Sequence, residues 1–208
     1  MSDCGCQVEA HNAAQRRTLR ILLAVNGLMF GMEIFTGLLA HSTALIADSL
    51  DMLADAIVYG ISLAAIQKTA LHKAQAALLS GGFQILLAGL VVIDGLRRFL
   101  TGSDPEPGWM LGMGLLALAA NLYCLSLIAR HRRGEVHMRA SWIFSRNDVI
   151  ANVGVIGAGI LVQLLQSRLP DLFVGLAIAL LVLWGGIQIV QDAQQARRAA
   201  LRPPQRQP

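Results

Sequence analysis

Three aspartates stand close together in the stretch ADSLDMLADAIVYG, residues 47–60, at positions 48, 51 and 55. The sequence before it, GLMFGMEIFTGLLA, is mostly apolar. So is AIVYGISLAAI, which starts at residue 56 and continues beyond the stretch. In a helix of 3.6 residues per turn, Asp51 and Asp55 lie one turn apart on one face, and Asp48 lies within about 60° of them. One stripe of an apolar helix therefore carries three carboxylates.

A further carboxylate lies in a second apolar stretch, WIFSRNDVIANVG, where Asp148 and Asn152 are also one helical turn apart. If the two helices run antiparallel and face each other, this pair meets Asp51 and Asp55 near the middle of the membrane. Carboxylates that converge in a medium of low dielectric repel one another unless a cation lies among them. The pattern predicts a cation site that metal or protons can fill, and Asn152 either adds a ligand or hydrogen-bonds between helices.

The composition indicates a membrane protein, because the chain is 55% hydrophobic and 14% charged, whereas soluble domains carry about 25% charged residues. A helix of about 20 apolar residues crosses a hydrocarbon core of about 30 Å. Six runs reach that length: 19–40, 43–66, 76–98, 108–129, 140–165 and 171–192. We predict an all-α, polytopic bundle of six transmembrane helices at 19–192, since helices satisfy their own backbone in lipid. Residues 1–18 and 193–208 are predicted tails, and no motif indicates a nucleic-acid partner.

The basic residues are divided unevenly between the two ends of such a bundle. With six spans and both termini on one side, thirteen of the 17 Lys and Arg residues fall on that side. The opposite side receives Arg97, Arg98 and Arg168, and Arg146 lies within a span. The positive-inside rule therefore predicts that both termini are cytoplasmic.

Two further groups of residues could contact a metal or protons. Glu33, in the first span, and Asp48 either line a proton path behind the metal ligands or are capping and snorkelling groups. Near the N-terminus, CGCQVEAH contains Cys4, Cys6 and His11, whose sulfur and imidazole donors suit Zn, Co, Ni or Cu. This segment is either a site of metal capture or an unstructured tail.

These motifs resemble those of the cation diffusion facilitator family. The resemblance rests on the first-span glutamate in MEIFTGLLA, the stretch STALIADSLDMLADA and the fifth-span DVIANVG, and it covers about residues 16–195. It implies a six-helix bundle in the lipid bilayer, usually a homodimer, that exports divalent transition metals from the cytoplasm in exchange for protons. The family places an acid or a His four residues before an Asp in span two, which corresponds to Asp51 and Asp55. The same spacing in span five ends at Asp148.

The chain departs from the family pattern in two places. Phe144 stands where span five usually has a His or Asp, so one of four expected ligands is missing. The candidates to replace it are Asn147, Asn152, Asp48 and a water molecule. The chain also stops before the cytoplasmic, ferredoxin-like domain that most members carry, so we expect a short form whose dimer rests on membrane contacts. We expect it in the inner (plasma) membrane of a bacterium.

The donor chemistry leaves the metal open. Three carboxylates favour harder ions such as Mn or Fe(II), the N-terminal thiols favour Zn or Co, and the resemblance ranks zinc first. We predict a transporter that exports zinc, or Mn, Fe or Co, and no enzyme, because the YD and GxGD contexts of intramembrane aspartyl proteases are absent. The alternatives are a membrane-embedded metal sensor or store without flux, and a subunit that only packs helices.

Overall fold

The computed structural model describes residues 3–65, 69–129 and 136–201. Within these ranges the chain forms six helices and no strand: α1 (Asp3–Leu39), α2 (Thr43–Ala65), α3 (Ala70–Thr101), α4 (Pro107–Ala129), α5 (Val136–Leu165) and α6 (Leu169–Leu201). Each predicted apolar run falls on one helix, with at most one residue beyond its end. The prediction of an all-α, six-helix bundle is confirmed.

The first and last helices extend beyond the predicted spans. α1 begins at Asp3 and α6 ends at Leu201, so both helices run through residues that the sequence assigned to tails. The reason is local, because QVEAHNAAQRR and DAQQARRAAL are rich in Ala, Gln and Arg, which favour helix. In both helices the apolar span ends where these polar residues begin, but the helix continues through them.

Within the described residues, five helices are long and apolar enough to cross a membrane, in the segments Arg16–Leu39, Ala77–Thr101, Pro107–Ala129, Asp148–Leu165 and Leu169–Leu201. The remaining helix, α2, has 23 residues, a length of about 35 Å at 1.5 Å per residue. It carries Asp48, Asp51 and Asp55, and it packs against each of the other five helices. Its aspartates therefore face protein. The chain is an integral membrane protein with α2 at its centre.

Glycine residues bring α6 close to two other helices. A Cβ atom at Gly175 would lie 2.7 Å from the backbone carbon of Thr43 in α2, and one at Gly81 would lie 2.9 Å from the carbonyl oxygen of Gly186. Small residues at such crossings are typical of packing between membrane helices. Large side chains such as Leu28, Ile93 and Trp184 instead cover the outside of the bundle, where they are exposed.

The connections α1–α2, α3–α4 and α5–α6 lie together at one end of the bundle. The backbone N–H of Glu106 donates to the carbonyl oxygen of Ala40 at 3.0 Å. Asp171, at the start of α6, accepts hydrogen bonds from the Ser42 hydroxyl and from the backbone N–H groups of Thr43 at 2.8 Å and Ala44 at 3.0 Å. This acid caps α2 across the bundle, and the start of α1 and the end of α6 lie at the opposite end.

Candidate metal centre

Two of the three aspartates of α2 point into the bundle at mid-helix. Asp51 and Asp55 lie one turn apart and are buried, with 7% and 5% of their surface exposed. Tyr59, one turn further, donates its hydroxyl to Asp55 Oδ2 at 2.8 Å. The Oδ2 atom of Asp51 has no hydrogen-bond partner among the described residues. One carboxylate is thus held by a neighbour, whereas the other keeps an oxygen available.

Asp148 of α5 completes a carboxylate cluster with these two residues. One oxygen from each of Asp51, Asp55 and Asp148 lies within 4.8 Å of the other two. Asp148 is as buried as Asp55, and its Oδ2 atom also lacks a hydrogen-bond partner in the described part of the chain. The structure therefore brings together the three residues that the sequence singled out, and their role as metal ligands stays a prediction.

The three carboxylates of the cluster repel one another when they are ionised. Two unit charges 4.8 Å apart repel by about 3.5 kcal/mol at an effective dielectric constant of 20. Three carboxylates at this spacing are stable only when a cation lies among them or when protons neutralise them.

Asn152 contacts the first aspartate of α2 instead of the cluster. Its Nδ2 atom donates to both carboxylate oxygens of Asp48, at 3.2 and 3.0 Å. A carboxylate accepts hydrogen bonds only, so this contact orients the amide with its nitrogen towards Asp48. The Oδ1 atom of Asn152 is buried and has no partner among the described residues. Of the two roles predicted for Asn152, the hydrogen bond between helices is present.

Glu33 extends the buried acidic region to α1. The residue is fully buried. It lies beside Asp48, which in turn is close to Asp51. Glu33 is six residues before the end of α1, and Asp48 is five after the start of α2. These carboxyl groups therefore lie between the cluster and the end of the bundle that holds the α1–α2 connection.

The side chains of the remaining predicted site residues lie outside the described part of the chain. Cys4, Cys6 and His11 belong to the first turns of α1, and their side chains lie outside the described part of the chain. The side chains of Phe144 and Asn147, in α5, also lie outside it. The predictions of metal capture and of a replacement ligand at Asn147 stay predictions.

Three further buried polar side chains, which the sequence patterns did not single out, lie on α1, α2 and α4. Tyr59 continues the four-residue spacing of Asp51 and Asp55, and that spacing could have revealed it. Asn26 of α1 is buried and lies seven residues before Glu33, which places both on one helix face. Asn121 of α4 has weaker sequence support, since it is a lone polar residue in an apolar span.

These asparagines are incompletely paired. Asn26 donates Nδ2 to the carbonyl oxygen of Leu22 at 2.9 Å, and Asn121 donates Nδ2 to Met52 Sδ at 3.8 Å. The Oδ1 atoms of both have no partner among the described residues. The interior around α2 is therefore polar beyond the carboxylates themselves. Unpaired polar atoms in a membrane raise the free energy of the fold.

A six-helix membrane bundle with buried carboxylates converging on its central helix defines the class: integral membrane proteins with an internal carboxylate cluster. A family model described as the cation efflux transmembrane domain matches residues 19–195. This match covers most of the chain, and the chain belongs to the cation efflux family.

Characterised relatives are similar along most of this chain. The metal cation efflux system protein CzcD of Cupriavidus metallidurans is 25% identical over 185 residues, which cover 83% of this chain and 58% of the relative. The cadmium, cobalt and zinc/H(+)-K(+) antiporter of Bacillus subtilis is 25% identical over 199 residues, with coverages of 88% and 64%. The zinc transporter ZitB of Escherichia coli is 27% identical over 200 residues, with coverages of 89% and 62%. The chain spans about three fifths of the length of these relatives.

Proposed function

We propose that the protein exports a divalent transition-metal cation from the cytoplasm in exchange for protons, with zinc as the first candidate and Mn, Fe(II) and Co as the others. The observation that carries this proposal is the convergence of Asp51, Asp55 and Asp148 within 4.8 Å in the interior of the bundle. Membership of the cation efflux family supports it, as do relatives named as a zinc transporter and as a zinc/H(+)-K(+) antiporter.

The exchange follows from the chemistry of the carboxylate. An ionised carboxylate binds a metal and a protonated one does not, so metal and protons compete for the same oxygens. Two protons supply the same charge as one divalent ion, so either occupant relieves the repulsion within the cluster to a similar extent. Alternating access of the cluster to the two sides of the membrane then couples metal export to proton entry.

We propose Asp51, Asp55 and Asp148 as the metal ligands and Asn152 Oδ1 as the candidate fourth donor. The buried, unpartnered state of this oxygen supports the choice, as does its position one turn from Asp148. Asp48 is less suited because both of its oxygens accept hydrogen bonds from Asn152. A water molecule and Asn147 are the remaining candidates for the position that Phe144 leaves.

Glu33 and Asp48 are proposed as a path for protons. Both are buried carboxyl groups, and they continue the acidic region from the cluster towards the end of the bundle that the charge pattern assigns to the outside. Protons entering there would meet Glu33 and Asp48 before they reach Asp51.

We further propose a homodimer in the inner membrane of a bacterium. The resemblance to the family and the bacterial origin of several relatives support this assembly and location. Chemical cross-linking in native membranes, followed by mass measurement of the purified complex, would test the dimer.

Metal-driven proton flux in proteoliposomes tests the function. Purified protein is reconstituted with a pH dye in the lumen, and Zn, Mn, Fe(II) and Co are added in turn. We expect a metal-dependent pH change in the unaltered protein and none after Asp148→Asn. The matched control is Asp192→Asn, which alters an exposed aspartate near the end of α6 and should leave flux unchanged.

Two outcomes would contradict transport through this site. Flux that persists in Asp148→Asn would remove Asp148 from the pathway. Metal binding without flux, for every ion and with both variants correctly folded, would favour the sensor or storage alternative.

A further inference from the structure

The end of the bundle that carries the α1–α2, α3–α4 and α5–α6 connections contains a polar cavity of about 520 Å³. Its walls include Arg97 and Arg98 from α3 and Arg168 from the α5–α6 connection, together with His41 and Asp104. These are the three arginines that the sequence assigned to the outer side. Basic residues are scarce on that side of membrane proteins, so their convergence on one cavity needs a local explanation.

Hydrogen bonds hold the two arginines of α3 in place. Arg97 donates Nε and Nη2 to Asp94 Oδ1 at 3.0 and 2.7 Å. Arg98 is buried; its Nε donates to Asp94 Oδ2 and its Nη1 to the carbonyl oxygen of His41. One carboxylate thus orders two guanidinium groups and balances only one of their charges.

Arg168 has no carboxylate partner among the described residues. Its Nη2 atom donates to the carbonyl oxygen of Phe99 at 3.4 Å. The guanidinium lies against Gly102, where an added Cβ would come within 2.9 Å of Nη1 and where the backbone φ of +98° favours glycine. Asp94 pairs with Arg97 and Arg98, and Asp171 also lies near Arg98. Arg168 is therefore the arginine of this cavity whose charge is least balanced.

Exposed apolar side chains lie within five residues of these arginines in the sequence. Phe99 and Leu100 follow Arg98 in α3, and Leu169 and Phe173 follow Arg168 in α6; all four are exposed. Surfaces of this kind contact acyl chains in a membrane protein, so the arginines stand at the edge of the hydrocarbon region. Phosphate groups of phospholipids lie at that depth.

We propose that this cavity binds a phosphate group, with Arg168 as its principal ligand, and that the phosphate belongs to the head group of an anionic phospholipid. The planar fork of donors on arginine matches phosphate geometry, and the cavity volume lies within the range of about 300–1,000 Å³ that is usual for ligand sites. The adjacent exposed side chains supply a surface for the acyl chains. This site is separate from the carboxylate cluster and does not depend on metal transport.

Lipid binding to the delipidated full chain in detergent, followed by native mass spectrometry, tests the proposal. The probes are phosphatidylglycerol, diacylglycerol with the same chains but no phosphate, and inorganic phosphate. The variant is Arg168→Gln, and the matched control is Arg197→Gln, an exposed arginine near the other end of α6. Arg168→Lys serves as a second variant, because it keeps the charge without the fork and remains testable if Arg168→Gln does not fold.

We expect phosphatidylglycerol to bind more tightly than diacylglycerol and Arg168→Gln to weaken that binding roughly tenfold to hundredfold, the usual effect of losing a charged hydrogen bond. Arg197→Gln should have no effect, and Arg168→Lys an intermediate one. Binding of inorganic phosphate as tight as that of the lipid would support the phosphate site and identify a free anion as its ligand. Equal binding of diacylglycerol and phosphatidylglycerol, or unchanged binding in both Arg168 variants, would overturn the proposal.

Discussion

At the scale of single residues, Asp51 illustrates a conflict between stability and binding. It is buried, one of its oxygens has no hydrogen-bond partner in the described part of the chain, and two further carboxylates lie within 4.8 Å. Such a residue contributes repulsion to the empty bundle and attraction to a bound cation. The effects of replacing it on folding and on binding should therefore have opposite signs.

We expect Asp51→Asn to leave the melting temperature of the metal-free protein unchanged or to raise it, because the substitution removes repulsion. Zinc affinity should fall by more than the roughly 10–100-fold that loss of a group behind the ligands costs. Thermal unfolding in detergent, with a chelator and then with zinc, measures both effects against Asp192→Asn. A variant that melts earlier without metal and binds zinc normally would show that Asp51 has a structural role only.

Asn152 offers a second test at this scale, because its amide donates two hydrogen bonds to the Asp48 carboxylate. Asn152→Ala should lower the free energy of unfolding by about 1–2 kcal/mol, because a buried carboxylate loses its donors. In the double variant with Asp48→Asn, the loss should be smaller than the sum of the single losses. Additive losses, measured by reversible unfolding in detergent, would mean that the contact does not stabilise the bundle.

At the scale of helices, the contact between α6 and α2 depends on a glycine. A Cβ at Gly175 would meet the backbone carbon of Thr43 at 2.7 Å and the backbone nitrogen of Ala44 at 2.8 Å. Backbone atoms at the start of a helix cannot move aside as the end of a flexible side chain can. Asp171 fixes this same part of α2 through three hydrogen bonds, so any displacement also disturbs the helix cap.

We expect Gly175→Ala to destabilise the protein by about 1–3 kcal/mol, the usual cost of overpacking. The matched control is Gly157→Ala in α5, where an added Cβ meets nothing within 4 Å. That substitution should be neutral or stabilising by up to about 1 kcal/mol, because alanine favours helix over glycine. Equal stability of the two variants by reversible unfolding in detergent would contradict the close approach of α6 to α2.

At the scale of the whole molecule, the orientation in the membrane follows from the distribution of charge. Thirteen Lys and Arg residues fall at the predicted cytoplasmic end and three at the other. In a variant with Cys4 and Cys6 replaced by Ser, an impermeant thiol reagent applied to intact cells should label Glu106→Cys, in the α3–α4 connection. It should label Gln194→Cys, near the end of α6, only after permeabilisation. The reverse pattern would place both termini outside and would invert the proposed direction of transport.

The sequence by itself determined the local features of this protein. Long apolar runs predicted six helices, and the spacing of Asp51 and Asp55 placed both on one face, since both signals depend only on neighbouring residues and on helical periodicity. α1 and α6 extend beyond the predicted apolar spans, because polar residues that favour helix continue each helix. The pairing of Asp51 and Asp55 with Asp148 also needed an assumption, that α2 and α5 face each other.

Only the tertiary structure decided contacts between distant residues. Asn152 bonds to Asp48, 104 positions away, and Asp171 caps α2 from 128 positions away. The three arginines of the outer end meet in one cavity, although two come from α3 and one from the α5–α6 connection. Each contact depends on how far a helix is rotated about its axis and shifted along it. Side-chain packing over the whole bundle sets that rotation and shift, and no local sequence pattern encodes them.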